Sequence, residues 1–442
     1  MFRRVLIANR GEIAVRIIRA CQELNVETVA VYSDADVDAL HVRLADYAYH
    51  IGPADACASY LNTDVIINAA LAAHADAIHP GYGFLSENAD FADLVVAAGL
   101  TFIGPNADII RKVGNKDAAR EAMRQANLPM AQGSDPVRSM EEACLIADNL
   151  TFPVILKPVA GGGGKGMIVI ESQAELMNAL NRINLDGGAG YYIEKYIADA
   201  RHIEVQIMAD HYGHIIHLGE RECSLQRRNQ KVLEEAPSSA LTPAMRQRVG
   251  DFAILAAKSV NYTNIGTVEF LLDKKTGEFY FMEINPRIQV EHGITEMITG
   301  IDLVRKQIRI AAGEPLNIKQ EDIRFTGHAI ECRINAEDAD MNFLPCPGEI
   351  TFYHQPGGPY VRVDSGVCAG STVPPYYDSL VAKVIVHGRT RGDAIRIMKR
   401  ALREFRISGI KTLTDFHLQV LDNPQFCAGN INTQFIHNQL IG

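Results

Sequence analysis

Short apolar runs alternate with helical stripes through the first hundred residues. RRVLIA (residues 3–8) reads as a strand and GEIAVRIIRACQELN as an amphipathic helix. On that helix Ala14, Ile17, Ile18, Cys21 and, at its polar end, Asn25 form one stripe, while Arg16, Arg19 and Glu23 point elsewhere. ETVAVYS is a buried strand, and AAHADAIHPGYGFLSENADF repeats the order of strand, Gly-rich turn and helix. Such alternation predicts a doubly wound parallel sheet with helices on both faces.

A second texture begins with KVGNKDAAREAMRQANLPM, a helix ending at Pro129. FPVILKP is a short strand, AGGGGKGMIVI a glycine loop entering another, and YYIEKYI, HIEVQIMAD and HIIHLGERE follow as strands. GTVEFLL and GEFYFMEIN form a hairpin turning near 274–277. From about His328 the strand-like runs HAIECRINAED, GEITFY, PYVRVDS and LVAKVIVHG precede a helix, DAIRIMKRALREF, capped by Asp393. The expected division is 1–112, 113–325 with a lid at about 130–203, and 326–442, the last an α+β unit.

Composition narrows the class. The 442 residues are 47% hydrophobic, enough for sizeable cores, and 43 Lys+Arg against 53 Asp+Glu leave a net charge of −10. That balance argues against nonspecific nucleic-acid or anionic-membrane binding. No run approaches the roughly 18 apolar residues of a membrane span, and the start lacks a signal-peptide pattern. Eight scattered cysteines without a CxxC pair fit buried thiols, so a cytoplasmic protein is expected.

Several residues carry chemistry. Gly161, Gly162, Gly163 and Gly164, followed by Lys165 and Gly166, let backbone N–H groups converge on phosphate oxygens, although a turn between strands explains the run equally well. Lys157 ends the strand before that loop, and Lys116 offers a second cation or a solvated one. Glu283 and Asn285 share a strand face, with Phe279 and Phe281 expected before them on it, and Glu269 lies on the hairpin partner. Two carboxylates and an amide oxygen suit a hard divalent cation. Arg287, Gln289 and Glu291 alternate onward from Asn285, which fits a small oxyanion held beside a base, or a solvated edge. GERECSLQRRNQKVLEEAP is a charge-dense loop in which the direction of Lys231 is the open question, and Cys223 reads as a packed thiol.

IANRGEIAVRIIRAC, HPGYGFLSEN, FIGP, GGGGKGM, EKYI, HIEVQI, RRNQKV with EEAP, INPRIQVEH with TEMITG, ECRINAED and VPPYYDSL together resemble the biotin carboxylase family of ATP-grasp enzymes over essentially the whole chain. The resemblance implies an α/β ATP-grasp fold in which ATP sits between lid and central sheet. Lys116 and Lys157 would hold phosphates, Glu194, Lys195 and Ile197 would line the adenine pocket, and His202 and Gln226 would lie by the ribose. Glu269, Glu283 and Asn285 would bind two Mg²⁺ (or Mn²⁺) ions, and Lys231, Arg287, Gln289 and the Val290 backbone would bind bicarbonate. Glu291 would be the base, Arg333 would stabilise the biotin enolate, and Tyr82 and Gly83 would belong to the biotin-side loop. The glycine lid would close to keep water from carboxyphosphate.

Some positions depart from the family pattern. Asn229 stands where most members have His near the nucleotide, Gly293 replaces Pro or Thr and is expected to loosen the loop behind Glu291, and Pro286 replaces a small hydroxyl residue. The lid is a few residues shorter before EKYI. Arg19 and Glu23 match homodimer-interface positions, whereas Pro359 departs from an aromatic found there. No Ala-Met-Lys-Met motif occurs, so the resemblance implies biotin on a separate carrier protein and a separate carboxyltransferase. The implied role is the first half-reaction of acetyl-CoA carboxylase; the alternatives are another biotin-dependent carboxylase or a regulatory nucleotide-binding subunit.

Overall fold

In the computed structural model, which describes residues 1–137, 139–159, 166–183 and 190–441, the first hundred residues form the expected parallel sheet. Its strands β1 (Arg4–Ile7), β2 (Glu27–Tyr32), β3 (Tyr47–His50), β4 (Ala77–His79) and β5 (Thr101–Phe102) lie in the order β3-β2-β1-β4-β5. All four pairings are parallel. Helix α1 (Gly11–Glu23) uses Ile13, Ala14, Ile17, Ile18 and Cys21 to join a core shared with Met208, Leu218, Ile265 and Ile308. α1 is therefore the joint between the parallel sheet and the rest of the chain. Arg16, off the apolar stripe, is buried there as well, because Glu296 at 2.9 Å and Asp302 at 2.7 Å neutralise it. Asn25 lies past the helix end in a left-handed conformation, φ 56°.

The predicted helix running from Lys112 to Pro129 is two helices, Ala107–Gly114 and Lys116–Gln125. Asn115 interrupts them: extended at φ −87°, ψ 109°, it accepts from the Ala118 N–H and caps the second helix. Lys116 is thereby the first residue of a helix. The lid is a three-stranded antiparallel sheet of β6 (Val154–Pro158), β7 (Ile168–Ile170) and β8 (Tyr191–Lys195), ordered β7-β6-β8. Its own core includes Val154, Leu156, Ile170, Leu176, Leu180 and Ile193. The glycines Gly161–Gly164 lie outside the described residues.

The central sheet has eight antiparallel strands: β9 (Ala200–Ala209), β10 (Ile215–Arg227), β11 (Gln230–Ala236), β12 (Asn264–Asp273), β13 (Phe279–Asn285), β14 (His328–Asn335) and the segments Leu380–Gly388 and Val361–Ser365. The spatial order is β13-β12-β9-β10-β11-β14, then Leu380–Gly388, then Val361–Ser365. The charge-dense stretch expected to be a loop is the β10–β11 hairpin, turning at Arg228 and Asn229 with φ 49° and 65°. Glu220, Arg221, Glu222, Glu234 and Glu235 are buried in it, tolerated because ion pairs and hydrogen bonds engage them. Only Cys21, Cys223 and Cys332 of the eight free cysteines are buried, fewer than the composition led one to expect.

Helix Arg391–Glu404 covers this sheet, and its cap is Thr390, not Asp393. The Asp393 N–H donates to Thr390 Oγ1, and Asp393 Oδ2 accepts the hydroxyl in return. At the start of that helix Arg391 reaches Glu235 at 2.6 Å, and His328 Nε2 meets the same carboxylate at 2.8 Å. Burial works to raise the Glu235 pKa, but His328 and Arg391 bring it down to about 2. Glu235 thus binds fewer protons folded than unfolded between its ordinary 4.5 and about 2. Its contribution to stability is complete above 4.5 and is lost as the pH falls below that value. Glu235→Gln is expected to lower unfolding free energy by about 3 kcal/mol at pH 7, as for breaking a buried pair. Urea titrations of both proteins should show the gap shrinking below pH 4.5; a gap independent of pH would contradict this account.

Candidate active site

One cleft of about 1390 Å³ lies between the parallel sheet, the lid and the central sheet. Its walls bring together Lys116, Lys157, Glu194, His202, Gln226, Asn229 and Lys231 with Glu269, Glu283, Asn285, Arg287, Gln289, Val290 and Arg333. Tyr82 and Gly83 line the side formed by the first hundred residues. Asn9 holds that loop by donating to the carbonyls of Pro80 and Tyr82, both at 2.8 Å. A Cβ on Gly81 would come within 2.8 Å of Asn9 Nδ2, so only glycine lets this side chain lie so close.

The floor is built on one rung of the sheet. Arg221 on β10 pairs in register with Glu204 on β9, Glu204 with Glu269 on β12, and Glu269 with Glu283 on β13. Like charges directly opposite repel, so cations have to intervene. Arg221, fully buried, donates to Glu204 and also to Gln206 at 2.7 Å, Thr295 at 3.0 Å and Thr267 at 3.1 Å. Lys231 reaches in from β11 and donates to Glu204, to Glu269 at 2.9 Å and to Glu291 at 2.7 Å. Lys231 therefore faces the site.

Phe279 and Phe281 do not share a face with Glu283. A register shift between Glu269 and Phe270 leaves Met282 as an extra residue, so the alternation changes phase there. Phe279, Phe281 and Ile284 join the core beneath, the last two also edging the cleft that Glu283 and Asn285 line. Nor is Arg287–Glu291 a strand: the chain leaves the sheet after Asn285, and Ile288 anchors the loop in the core. Arg287 donates to Glu87 at 2.6 Å and to Gln289 Oε1 at 3.0 Å, while Gln289 Nε2 reaches Glu269 at 3.4 Å.

Glu291, fully buried, is gripped on both oxygens, by Lys231 on Oε1 and by Arg333 on Oε2 at 2.9 Å. Burial would raise its pKa, but Lys231, Arg333 and Arg221 hold it well below the usual carboxylate range. Arg333 also donates to Glu234 at 2.7 Å. Glu234 is pushed the other way, to about 7, by its burial, against the opposing pull of Arg333. Cys223 lies 4.0 Å from Glu291, and burial and Glu204 lift its thiol pKa far above the ordinary value, which leaves it a packed thiol.

At the lid end, Lys157 donates to Glu194 at 2.5 Å and Arg120 pairs with the same carboxylate. Lys116 donates to the Pro158 carbonyl at 2.9 Å. Gln226 Nε2 donates to His202 Nδ1 at 2.8 Å, which leaves the ring proton on Nε2, 3.0 Å from Glu269. Lys195 and Ile197 are not on the cleft wall: β8 points the Lys195 ammonium outward to Thr151 O at 2.9 Å, and its N–H bonds Gln132. Alternation along β8 turns Glu194 inward and Lys195 out.

Residues 1–110 match the family model described as biotin carboxylase, N-terminal domain, and 331–438 that of the biotin carboxylase C-terminal domain. Residues 115–319 match carbamoyl-phosphate synthase L chain, ATP binding domain. Biotin carboxylase 1 of Bacillus subtilis is 55% identical over 442 residues, covering 99% of this chain and 98% of that one. The chain belongs to the biotin carboxylase family. It is an ATP-dependent carboxylase of biotin. A pyruvate carboxylase subunit of Methanothermobacter thermautotrophicus is 49% identical, covering 99% of this chain and 90% of that one. The Hydrogenobacter thermophilus 2-oxoglutarate carboxylase biotin carboxylase domain dimer, in complex with MgADP, ADP and bicarbonate, superposes with a TM-score of 0.93 at 48% identity, covering 99% and 97% of the two chains. A biotin carboxylase–β,γ-ATP complex from Campylobacter jejuni gives 0.95 at 45%, covering 99% of each.

The residues present fit a divalent cation. Glu283 is exposed at the outer end of the rung, opposite Glu269, and the ammonium of Lys231 reaches Glu204, Glu269 and Glu291 instead of it. Its donors are hard oxygens, as Mg²⁺ prefers. Among the described residues no helix is long and apolar enough to cross a membrane.

Gly293 does not loosen a loop. It sits in the first turn of the helix His292–Thr299, buried, where an added Cβ would lie 2.4 Å from Ile385 Cδ1. Ile385→Val removes that carbon. Gly293→Ala is expected to be better tolerated beside Ile385→Val than alone by about 1 kcal/mol, a coupling that a denaturation double-mutant cycle measures; strict additivity would contradict the contact.

Proposed function

We propose that this chain is the biotin carboxylase component of an acetyl-CoA carboxylase. It carboxylates biotin on a separate carrier protein and passes the product to separate carboxyltransferase subunits, working as a cytoplasmic homodimer. The division 1–112, 113–325 and 326–442 is the proposed domain map. The observation that carries the carboxylation chemistry is Glu291, buried between Lys231 and Arg333 beside Arg287 and Gln289.

Bicarbonate binds to Lys231, Arg287, Gln289 and the Val290 backbone. The ammonium of Lys231 is shared among three carboxylates. An anion that draws it from Glu291 leaves that carboxylate a stronger base, so basicity rises when substrate arrives. Glu291 takes the bicarbonate proton, the freed oxygen attacks the γ-phosphorus of ATP, and ADP leaves. The resulting carboxyphosphate breaks into CO₂ and phosphate, and the phosphate takes the ureido proton of biotin. Arg333 faces the enolate oxygen, and the ureido nitrogen attacks CO₂. Lys116 and Lys157 hold the phosphates, His202, Gln226 and Asn229 lie by the nucleotide, and Tyr82 and Gly83 flank biotin. Glu269, Glu283 and Asn285 would hold Mg²⁺, which supplies charge neutralisation on the phosphates when bound. Lys195 and Ile197 remain proposed adenine contacts that require the lid to rearrange.

A second reading is favoured by the 49% identity to the Methanothermobacter pyruvate carboxylase subunit and the likeness to 2-oxoglutarate carboxylase, and assigns the chain to another biotin-dependent carboxylase. Transfer of label from carboxybiotin to acetyl-CoA, pyruvate or 2-oxoglutarate by co-purified subunits separates the two. With Mg·ATP, labelled bicarbonate and free biotin, the enzyme is expected to form labelled carboxybiotin together with phosphate. Glu291→Gln should lower that rate by about 10²-fold or more while sparing ATP affinity; an unchanged rate removes Glu291 as base.

A further inference from the structure

A lysine in the middle of an apolar strand is out of place by pattern. Lys383 in LVAKVIVHG is 0% exposed, one of the largest fully buried side chains of the protein. Burying an ammonium is costly unless several acceptors meet it. Its neighbours come from three distant parts of the chain. It donates to the Val290 carbonyl at 2.6 Å, pairs with Glu12 of α1 at 3.2 Å, and lies 4.0 Å from Asp364 on the adjacent strand. Glu12 in turn accepts the hydroxyl of Tyr82.

The register explains why this lysine matters for the reaction. Lys383 stands directly opposite Arg333, and Asp364 opposite Lys383. Two buried cations side by side repel, and Glu234, Glu291, Glu12 and Asp364 offset them. The outcome is that one cross-strand pair holds Glu291 twice. Arg333 binds its carboxylate, and Lys383 binds the carbonyl of the peptide linking Val290 to Glu291. Fixing that peptide plane fixes the Glu291 N–H and the Cα positions of Val290 and Glu291 on either side of it. Burial works against the charge on Lys383, yet Glu12, Glu331 and Asp364 raise its pKa, so it remains an ammonium.

We propose that Lys383 is a positioning residue for the bicarbonate step: clamped between Glu12 and Asp364, it pins the Val290–Glu291 peptide so that base and anion site keep their mutual geometry. This rests on the reading of Glu291 and Val290 given above. It contacts no reacting atom itself.

The test is steady-state biotin carboxylation by the full chain, with KM for bicarbonate, kcat, and directly measured ATP affinity for wild type, Lys383→Met and Lys383→Arg. Loss of about 1 Å of alignment typically costs about 10²-fold, so kcat/KM for bicarbonate should fall by about that factor in Lys383→Met. ATP affinity should move by less than about twofold, and Lys383→Arg should recover about tenfold. Bicarbonate kinetics unchanged in Lys383→Met, or ATP affinity falling in parallel with them, would overturn the assignment. Should Lys383→Met not fold, Glu12→Gln decides: it keeps the shape and weakens one side of the clamp. A bicarbonate KM raised about threefold or more at constant ATP affinity supports the role, and an unchanged KM rejects it. Wild type that makes no carboxybiotin overturns both this inference and the functional reading, whereas active wild type with indifferent variants overturns this inference alone.

Discussion

Three glutamates occupy one rung of the central sheet. Glu204, Glu269 and Glu283 stand directly opposite one another on β9, β12 and β13, and Glu291 closes over them from the following loop. Four carboxylates in so small a volume cannot all be ionised without positive charge placed among them. Much of the architecture follows from that requirement. Arg221 is buried at the inner end of the rung, and the β10–β11 hairpin delivers Lys231 to the middle. The outer end, at Glu283, is exposed and opens onto the cleft.

The same arrangement is costly for stability. A buried ion pair seldom outweighs an apolar pair of similar volume, because desolvation takes most of the Coulombic gain. Here Arg16–Glu296, Arg201–Glu222, Arg221–Glu204 and Arg333–Glu234 all lie in or beside the core. Such a density of charge makes sense where the protein has to hold anions and move a proton with little reorganisation. The surrounding apolar clusters, with Ile203, Val205, Val268 and Phe270 behind the rung, carry the folding energy that the ion pairs do not.

The parallel sheet was legible because each of its strands and helices announces itself within about a dozen residues. Glu283 and Asn285 were legible for the same reason, a spacing of two. Their relation to Phe279 and Phe281 was misread, since a single extra residue, Met282, changes the phase and is visible only in the pairing with β12. Glu204, Arg221, Glu234 and Lys383 were missed as site residues for a related cause: their roles depend on which strand lies beside which. Charges inside GERECSLQRR look solvated until the neighbouring strands are known. The available signal was the interruption itself, as with Arg221 between glutamates or Lys383 between valines and isoleucines. A lone charge in a strand-like run demands partners, though sequence does not name them.

Glu291 shows how the segments depend on one another. Its carboxylate is held by Lys231 of β11 and Arg333 of β14, neighbouring strands on one side of the cleft. Its preceding peptide is held by a strand further along the chain, and that strand by α1, which also anchors the parallel sheet. Separate units joined only by linkers would let Glu291 drift relative to Arg287 and Gln289. A continuous sheet from β13 to Val361–Ser365, with α1 locked to it through Glu12 and to the helix after Glu291 through Arg16, removes that freedom. The lid has its own small core, and among the described residues Lys116, Asp117 and Arg120 bond its strands to the helix before it; it is the part left separable from this frame. Rigidity is thus placed around Glu291 and separability at the lid.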